Sequence, residues 1–193
     1  LLAKYGVAKV SLPGGCAIGS RPINLHLDAL KKMGAKIKIK NGYIVASAKK
    51  GLKGCLIRFP KISVGATENI LISACLARGK TKLRNCASEP EVQDLINFLK
   101  KMGCKISFIG KRSIDVIGTK ELKPVTHKVI FDRIEAGTYI IASALTNGRL
   151  KIKNINPKVI SLEISLLQKM GVKIIKKKNY LIVSSTKNLK NIN

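Results

Sequence analysis

Apolar positions along this chain alternate between a helical and a strand period, and the alternation recurs every 68 or 69 residues. Three stretches with apolar residues spaced three or four apart predict amphipathic helices, each closed by a Lys-Met-Gly motif. We expect the motif glycines, Gly34, Gly103 and Gly171, to occupy the left-handed position that ends a helix. The apolar faces assigned to the helices are Ile23, Leu27 and Leu30; Leu95, Ile96 and Leu99; and Leu162, Leu166 and Leu167.

A pair of strands is predicted after each of these glycines, because apolar and polar residues alternate there. The clearest turn between two strands is Asn41-Gly42, a pair favoured in two-residue hairpins. Earlier in each period, Gly65-Ala66-Thr67 and Ala136-Gly137-Thr138 open another helix. Strands that end at Asn85 and Asn154 follow these two helices.

The repeated element is therefore helix, strand, helix, strand, strand, with apolar helix faces packed under a sheet. This predicts an α+β (mixed α/β) fold. Residues 1–12 fit the tail of an earlier copy, and the chain begins with Leu, not Met. We therefore expect the sequence to be a piece of a longer one.

The charge is strongly basic, with a formal net charge of +27 on 193 residues. A net charge of this size raises the alternative of a non-catalytic basic protein that binds nucleic acid. The basic residues are 30 Lys and 7 Arg spread along the whole chain, and the eight aromatic residues form no base-stacking motif. We interpret the lysines as a compositional bias on solvated faces and expect no specific nucleic-acid partner.

The five cysteines favour a reducing compartment. They are odd in number and contain no Cys-x-x-Cys spacing, which argues against a disulfide framework or a zinc site. No apolar run reaches 18 residues and no signal peptide is recognisable, so we expect neither a transmembrane helix nor a membrane partner.

Candidate chemistry is concentrated in residues 13–26. Cys16 lies among three glycines, on a loop where a thiol is accessible, and Pro22 suits the first position of the following helix. Arg21 would then stand beside a helix N-terminus, which attracts anions. The segment therefore favours chemistry on an anionic substrate. A glycine-rich hairpin followed by an ordinary helix explains the same spacing.

Two further segments begin helices. In residues 60–68, Lys61 supplies charge and Ser63 leads directly into a helix, an arrangement that can hold a phosphate. An ordinary helix capped by Ser63 or Thr67 is the alternative. Residues 132–138 form an acidic-basic-acidic cluster at the matching helix start, which alone indicates capping and ion pairing.

Together these segments resemble bacterial UDP-N-acetylglucosamine enolpyruvyl transferases, in order and in spacing. The resemblance covers the whole chain, whereas family members extend well beyond both of its ends. The motifs that carry it are Pro13-Gly14-Gly15-Cys16 through Arg21-Pro22 to Leu25-His26, residues 63–69, Glu89-Pro90-Glu91 and residues 132–138.

The resemblance implies a reaction and a fold. The family transfers the enolpyruvyl group of phosphoenolpyruvate to the 3′-hydroxyl of UDP-N-acetylglucosamine, the committed step of peptidoglycan synthesis in the cytoplasm. Its fold is an inside-out α/β prism of two domains, each built from three helix-strand copies, with the active site in the cleft between them. Residues 1–128 would be most of one domain and residues 129–193 the start of the other. The resemblance implies a monomer that needs no cofactor and no metal.

The resemblance also implies residue roles. Cys16 would be the proton donor, would form an adduct with phosphoenolpyruvate and would be the target of the antibiotic fosfomycin. Arg21 would bind phosphoenolpyruvate. Two segments would hold the uridine nucleotide and its diphosphate, and two further residues would lie at the cleft: Arg21, Pro22, Ile23, Asn24 and Leu25; Lys61, Ile62, Ser63 and Val64; and Asp132 and Arg133.

Two departures from the family limit this expectation. Asn24 replaces the usual Asp, which removes a charge but keeps an acceptor oxygen. The carboxylate that takes the proton from the sugar hydroxyl lies outside the chain, so we expect residues 1–193 alone to be inactive. The sister enzyme that acts on 3-phosphoshikimate and a non-catalytic basic remnant remain alternatives.

Overall fold

The computed structural model describes residues 1–14, 22–184 and 189–192. These residues form two compact units, Leu1–Lys128 and Val129–Asn193. The helices are α1 (Leu2–Tyr5), α2 (Asn24–Lys32), α3 (Val64–Cys75), α4 (Pro90–Lys101), α5 (Arg133–Leu145) and α6 (Ser161–Lys169). The strands are β1 (Val7–Ser11), β2 (Lys36–Lys40), β3 (Tyr43–Ser47), β4 (Leu56–Arg58), β5 (Lys80–Arg84), β6 (Lys105–Gly110), β7 (Ser113–Ile117), β8 (Arg149–Lys153), β9 (Lys173–Lys176) and β10 (Tyr180–Ser184).

The sheets confirm the predicted repeat. The strand orders β1-β3-β2, β5-β7-β6 and β8-β10-β9 share one topology, in which the last strand of each copy lies between the other two. All these pairings are antiparallel. One additional strand, β4, precedes the middle copy in the chain and joins its sheet by pairing with β5 in parallel at the edge. Residues 1–11 do not belong to an earlier copy, contrary to the prediction, because β1 pairs with β3 in the first sheet. We refer below to copy 1 (residues 1–47), copy 2 (64–117) and copy 3 (133–184).

The three motif glycines end their helices as predicted. Gly34, Gly103 and Gly171 have φ of 95°, 102° and 100°, a region in which glycine has no steric penalty, and a strand follows each of them. Two equivalent asparagines, Asn85 and Asn154, also have positive φ (58° and 59°), directly after the first strand of their copies. The same backbone solution thus recurs in successive copies.

Each unit has its own apolar core. In the first unit, α3 is the central helix, since Ile70, Leu71 and Ala74 are fully buried. In the second unit, the core is formed by residues of α5, α6 and β10, among them Ile140 and Leu181. No helix in the described part of the chain has the length and apolarity needed to cross a membrane.

Two of the predicted helix faces were wrong. In α6, Leu162 and Leu166 are exposed and Ile164 is buried instead, because the side of the helix that carries Ile164 packs on the second core. In α2, the buried residues are Leu25 and Ala29, and the predicted face is only half-buried. Both helices are apolar on more than one side, so the packing partner determines which side is buried.

Candidate active site

The number of residues between the first strand and the second helix differs among the copies. It spans residues 12–23 in copy 1, 85–89 in copy 2 and 154–160 in copy 3. The shorter loops show that the topology does not need twelve residues at this point. The glycine-rich motif, for which the sequence predicts a chemical role, falls in the longest of these three segments.

Both ends of this long loop are fixed by hydrogen bonds. After β1, the Leu12 N–H donates to the carbonyl of Gly42 at 2.8 Å. At the other end, the N–H groups of His26 and Leu27 donate to the Ile23 carbonyl at 3.0 and 3.1 Å. Cys16 and Arg21 lie between these anchors and outside the described residues, so their roles remain predictions.

Pro22 does not open the helix, contrary to the sequence-based prediction. The first helical turn closes on the carbonyl of Ile23, so α2 begins at Asn24 and Pro22 lies two residues earlier. Pro22 is therefore part of the approach to the helix, where its fixed φ restricts the chain that leaves the loop.

The second predicted segment begins α3, and Ser63 is its cap. The Ser63 Oγ accepts a hydrogen bond from the Ala66 N–H at 3.3 Å. Thr67 supports the same turn, because its hydroxyl donates to the Ser63 carbonyl at 2.8 Å. The first N–H groups of the helix, those of Val64 and Gly65, have no partner within the helix and carry the positive end of its dipole. The start of α3 can thus receive an anion.

The equivalent helix start in copy 3 carries a negative charge. There, Asp132 caps α5, and its Oδ1 accepts from the N–H groups of Ile134 and Glu135 at 2.8 and 3.0 Å. A carboxylate at this position neutralises the helix dipole and repels a second anion. The neutral Ser63 leaves the start of α3 positive. The two copies therefore share a fold position but differ in the charge at the helix start.

His26 brings the two predicted segments together. A methyl group placed on Gly65 would lie 3.5 Å from the His26 Nε2, so the α2 imidazole stands beside the start of α3. The His26 Nδ1 is buried and has no hydrogen-bond partner among the described residues. His26 ends the first sequence motif, but the motif indicates no role for it. Only the contact between α2 and α3 reveals its position.

A cavity of about 490 Å³ in the first unit is lined in part by residues of α2. Its wall includes Asn24 and Leu25 from the first predicted segment and Arg58, Phe59 and Pro60 from the chain just before the second. The structure therefore brings the end of the first predicted nucleotide-binding segment and the chain just before the second to one cavity.

A carboxylate pair also lies between α3 and α4. Burial raises the pKa of Glu68, and the nearby charge of Glu91 raises it further.

Of the other predicted residues, Asp132 and Arg133 belong to the second unit, where Asp132 has the capping role described above. Among the described residues, no group of three or more His, Cys, Asp or Glu side chains is arranged to hold a metal ion.

The four described cysteines are all at least partly shielded from solvent. Cys75, Cys86 and Cys104 are buried and Cys55 is half-buried. Burial raises the pKa of all four thiols, that of Cys86 to about 11. At neutral pH these groups are protonated and poorly nucleophilic.

Comparison with known proteins gives consistent results. The sequence profile described as EPSP synthase (3-phosphoshikimate 1-carboxyvinyltransferase) matches residues 1–193. Over all 193 residues, the chain is 59% identical to the UDP-N-acetylglucosamine 1-carboxyvinyltransferase of Pelagibacter ubique and 49% identical to that of Geotalea uraniireducens. The chain spans about half the length of these relatives, 46% in each case.

Solved structures show the same fold. The enolpyruvyl transferase NikO from Streptomyces tendae superposes with a TM-score of 0.80 at 23% identity, covering 97% of this chain and 45% of that one. An EPSP synthase from Acinetobacter baumannii superposes with a TM-score of 0.68 at 18% identity, covering 95% and 44%. These superpositions show a shared fold and confirm the predicted fold class.

Proposed function

This chain belongs to the EPSP synthase (3-phosphoshikimate 1-carboxyvinyltransferase) family, and from that membership we propose that it contributes to the transfer of the enolpyruvyl group from phosphoenolpyruvate to the 3′-hydroxyl of UDP-N-acetylglucosamine. The observation that carries the proposal is the 59% identity, over all 193 residues, to a UDP-N-acetylglucosamine 1-carboxyvinyltransferase. The role would be cytoplasmic and would serve peptidoglycan synthesis, with the two small molecules as partners, no cofactor and a monomeric protein.

We assign the proton-donor role to Cys16. Addition of the sugar hydroxyl to the enol phosphate needs a proton delivered to its methylene carbon, and a general acid works best when its pKa is near the operating pH. The ordinary pKa of a thiol, about 8.5, already lies close to this range, and a neighbouring guanidinium such as Arg21 would lower it. The family sequence motif supports this role.

The diphosphate of the nucleotide is proposed to bind at the start of α3. Ser63 caps this helix without adding charge, and the N–H groups of Val64 and Gly65 are available to phosphate oxygens. Lys61 adds an exposed positive charge nearby in sequence. The uridine would contact residues 21–25, and His26 would hold α2 against the start of α3.

A pair of cap substitutions tests the phosphate site. Ser63→Asp keeps an efficient helix cap but introduces the carboxylate that copy 3 already has. We expect it to weaken UDP-N-acetylglucosamine binding about tenfold or more, by repulsion of the diphosphate. The matched variant Asp132→Ser should leave binding unchanged. Isothermal titration of the purified chain measures both, and circular dichroism checks folding. Equal affinity of Ser63→Asp and the unmodified chain would refute the assignment.

3-Phosphoshikimate is the second candidate acceptor, because the matching family profile is described by that reaction. Titration of both candidate acceptors into the same preparation shows which of the two the chain binds. We expect binding of the uridine nucleotide and none of 3-phosphoshikimate. We also expect no steady phosphate release from phosphoenolpyruvate by residues 1–193, since proximity and base catalysis need groups outside this chain. Sustained turnover would contradict that expectation.

A further inference from the structure

Three arginines line a second cavity in the first unit, which has a volume of about 420 Å³. We call Arg58, Arg84 and Arg112 the arginine cluster. Arg58 and Arg84 are register partners on the parallel strands β4 and β5, and Arg84 pairs with Ser113 on β7. Two of the three guanidinium groups therefore leave adjacent strands at the same level of the sheet.

The cluster carries more positive charge than its surroundings neutralise. Arg84 donates to Asp115 Oδ1 at 2.9 Å, but the other oxygen of Asp115 already binds Lys80 at 2.8 Å. One carboxylate thus serves two cations. The Arg58 side chain makes no hydrogen bond or ion pair with any residue in the described ranges. Like charges on paired strand positions repel each other unless a counter-ion lies between them.

Apart from the Arg58 side chain, the walls of this cavity are held by hydrogen bonds. Arg112 is bound twice to Cys86, because its Nη1 donates to the Cys86 carbonyl at 3.1 Å and its own carbonyl accepts from the Cys86 N–H at 3.0 Å. The Asn85 side chain donates to the carbonyl of Phe59 at 2.9 Å. The Phe59 N–H donates to the Arg84 carbonyl at 3.0 Å. Little ordering would therefore be needed when an anion binds.

Residue type distinguishes this cavity from the general basic bias of the chain. The sequence has 30 Lys and only 7 Arg, yet the cavity is lined by three Arg and no Lys. A lysine-rich composition does not produce such a group. The planar guanidinium makes paired hydrogen bonds to phosphate and carboxylate oxygens, which the ammonium of lysine cannot do.

We propose that the arginine cluster binds the phosphate or diphosphate group of a small molecule. The cavity is separate from the start of α3, although Arg58, Phe59 and Pro60 also line the cavity that contains Asn24. The proposal does not depend on the proposed function. A free inorganic anion and the phosphate of a nucleotide share the chemistry that the cluster recognises.

The test uses inorganic pyrophosphate, titrated into the Ser63→Asp form of the 193-residue chain at physiological salt. Ser63→Asp is used because it closes the other anion site. Binding is followed through the backbone amide signals of Arg58, Arg84 and Ser113 in nitrogen-15 NMR spectra. We expect saturable shifts at these residues. UDP-N-acetylglucosamine added in a second titration shows whether a nucleotide phosphate also binds there.

Variants of Arg58 provide the decisive comparison, because its side chain is exposed and has no hydrogen bond or ion pair with the described residues to lose. Arg58→Gln should weaken pyrophosphate binding about fivefold or more, and Arg58→Lys should recover only part of the loss. The control Arg149→Gln removes an equal charge from an exposed strand position in the second unit and should have no effect. Equal effects of Arg58→Gln and Arg149→Gln would show general charge attraction and overturn the proposal. So would full recovery by lysine, or binding of duplex DNA without binding of pyrophosphate.

Discussion

For two buried threonines in the first unit, we expect substitution by valine to change the free energy of unfolding in opposite directions. Thr67 and Thr81 are both fully buried. The Thr67 hydroxyl donates to the Ser63 carbonyl at 2.8 Å and accepts from the Ala87 N–H at 3.0 Å. It thereby ties the start of α3 to the loop before α4. The Thr81 hydroxyl has no partner among the described residues. Valine has nearly the same shape as threonine and removes only the hydroxyl.

The expected magnitudes follow from these hydrogen bonds. In Thr67→Val the Ser63 carbonyl keeps the Thr67 N–H as a donor, but the Ala87 N–H is left buried and unpaired. An unsatisfied buried group costs about 1–3 kcal/mol, so we expect a loss of about 2 kcal/mol. Thr81→Val removes a buried hydroxyl that has no compensating bond. We expect it to stabilise the unit by about 1 kcal/mol.

Urea unfolding of the two variants measures the difference. With a urea dependence of about 1–3 kcal/mol per molar, a loss of 2 kcal/mol lowers the midpoint by about 1 M. Hydrogen exchange of peptides from the first unit assigns the transition to that unit. An unchanged slope shows that the compactness of the native and denatured states has not altered. If both variants were destabilised equally, the hydrogen bonds of Thr67 would not be the cause, and the reasoning would fail.

Three further predictions concern backbone space, thiol reactivity and acid stability. Gly118→Ala should cost more than about 3 kcal/mol, because its new methyl carbon would lie 1.7 Å from the Ala77 carbonyl oxygen; Gly137→Ala, in an open helical position, should stabilise the second unit in thermal melts by about 0.5–1 kcal/mol. Limiting alkylation followed by peptide mapping should modify Cys16 before the four shielded cysteines, and earlier labelling of any of those would count against a catalytic thiol. Hydrogen bonds from two basic partners lower the pKa of Asp115, so its contribution to stability is present above about pH 4 and is lost as the pH falls through the lowered pKa. Asp115→Asn should therefore flatten the acid limb of the stability profile, and an unchanged limb would contradict the ion pairs.

Local signals made most of the fold predictable from the sequence. Gly34 and its two equivalents mark helix ends through their backbone conformation, a property of the residue itself. The alternation of apolar and polar residues after each glycine predicted the strands, because successive side chains of a strand point to opposite faces of the sheet. The side of α6 that is buried was not predictable, because Leu162 and Ile164 are equally apolar and only the packing partner chooses between them.

Contacts between distant segments were the part that the sequence could not reveal. The proximity of His26 to Gly65 depends on how α2 packs beside α3. The pairing of Arg58 with Arg84 depends on the short strand β4, which no local sequence pattern predicted. The roles of Cys16 and Arg21 remain predictions from motif and resemblance.

The unequal loops after the first strand of each copy have a consequence for how this scaffold changes over evolutionary time. Five, seven and twelve residues connect the same two elements, while the surrounding sheet order stays constant. The sheet order therefore tolerates insertions between the first strand and the second helix of a copy. Residues with a new chemical role can be added there without a change in core packing. The junctions at 85–89 and 154–160 are, by the same logic, unused acceptor sites into which an engineer could transplant a reactive loop.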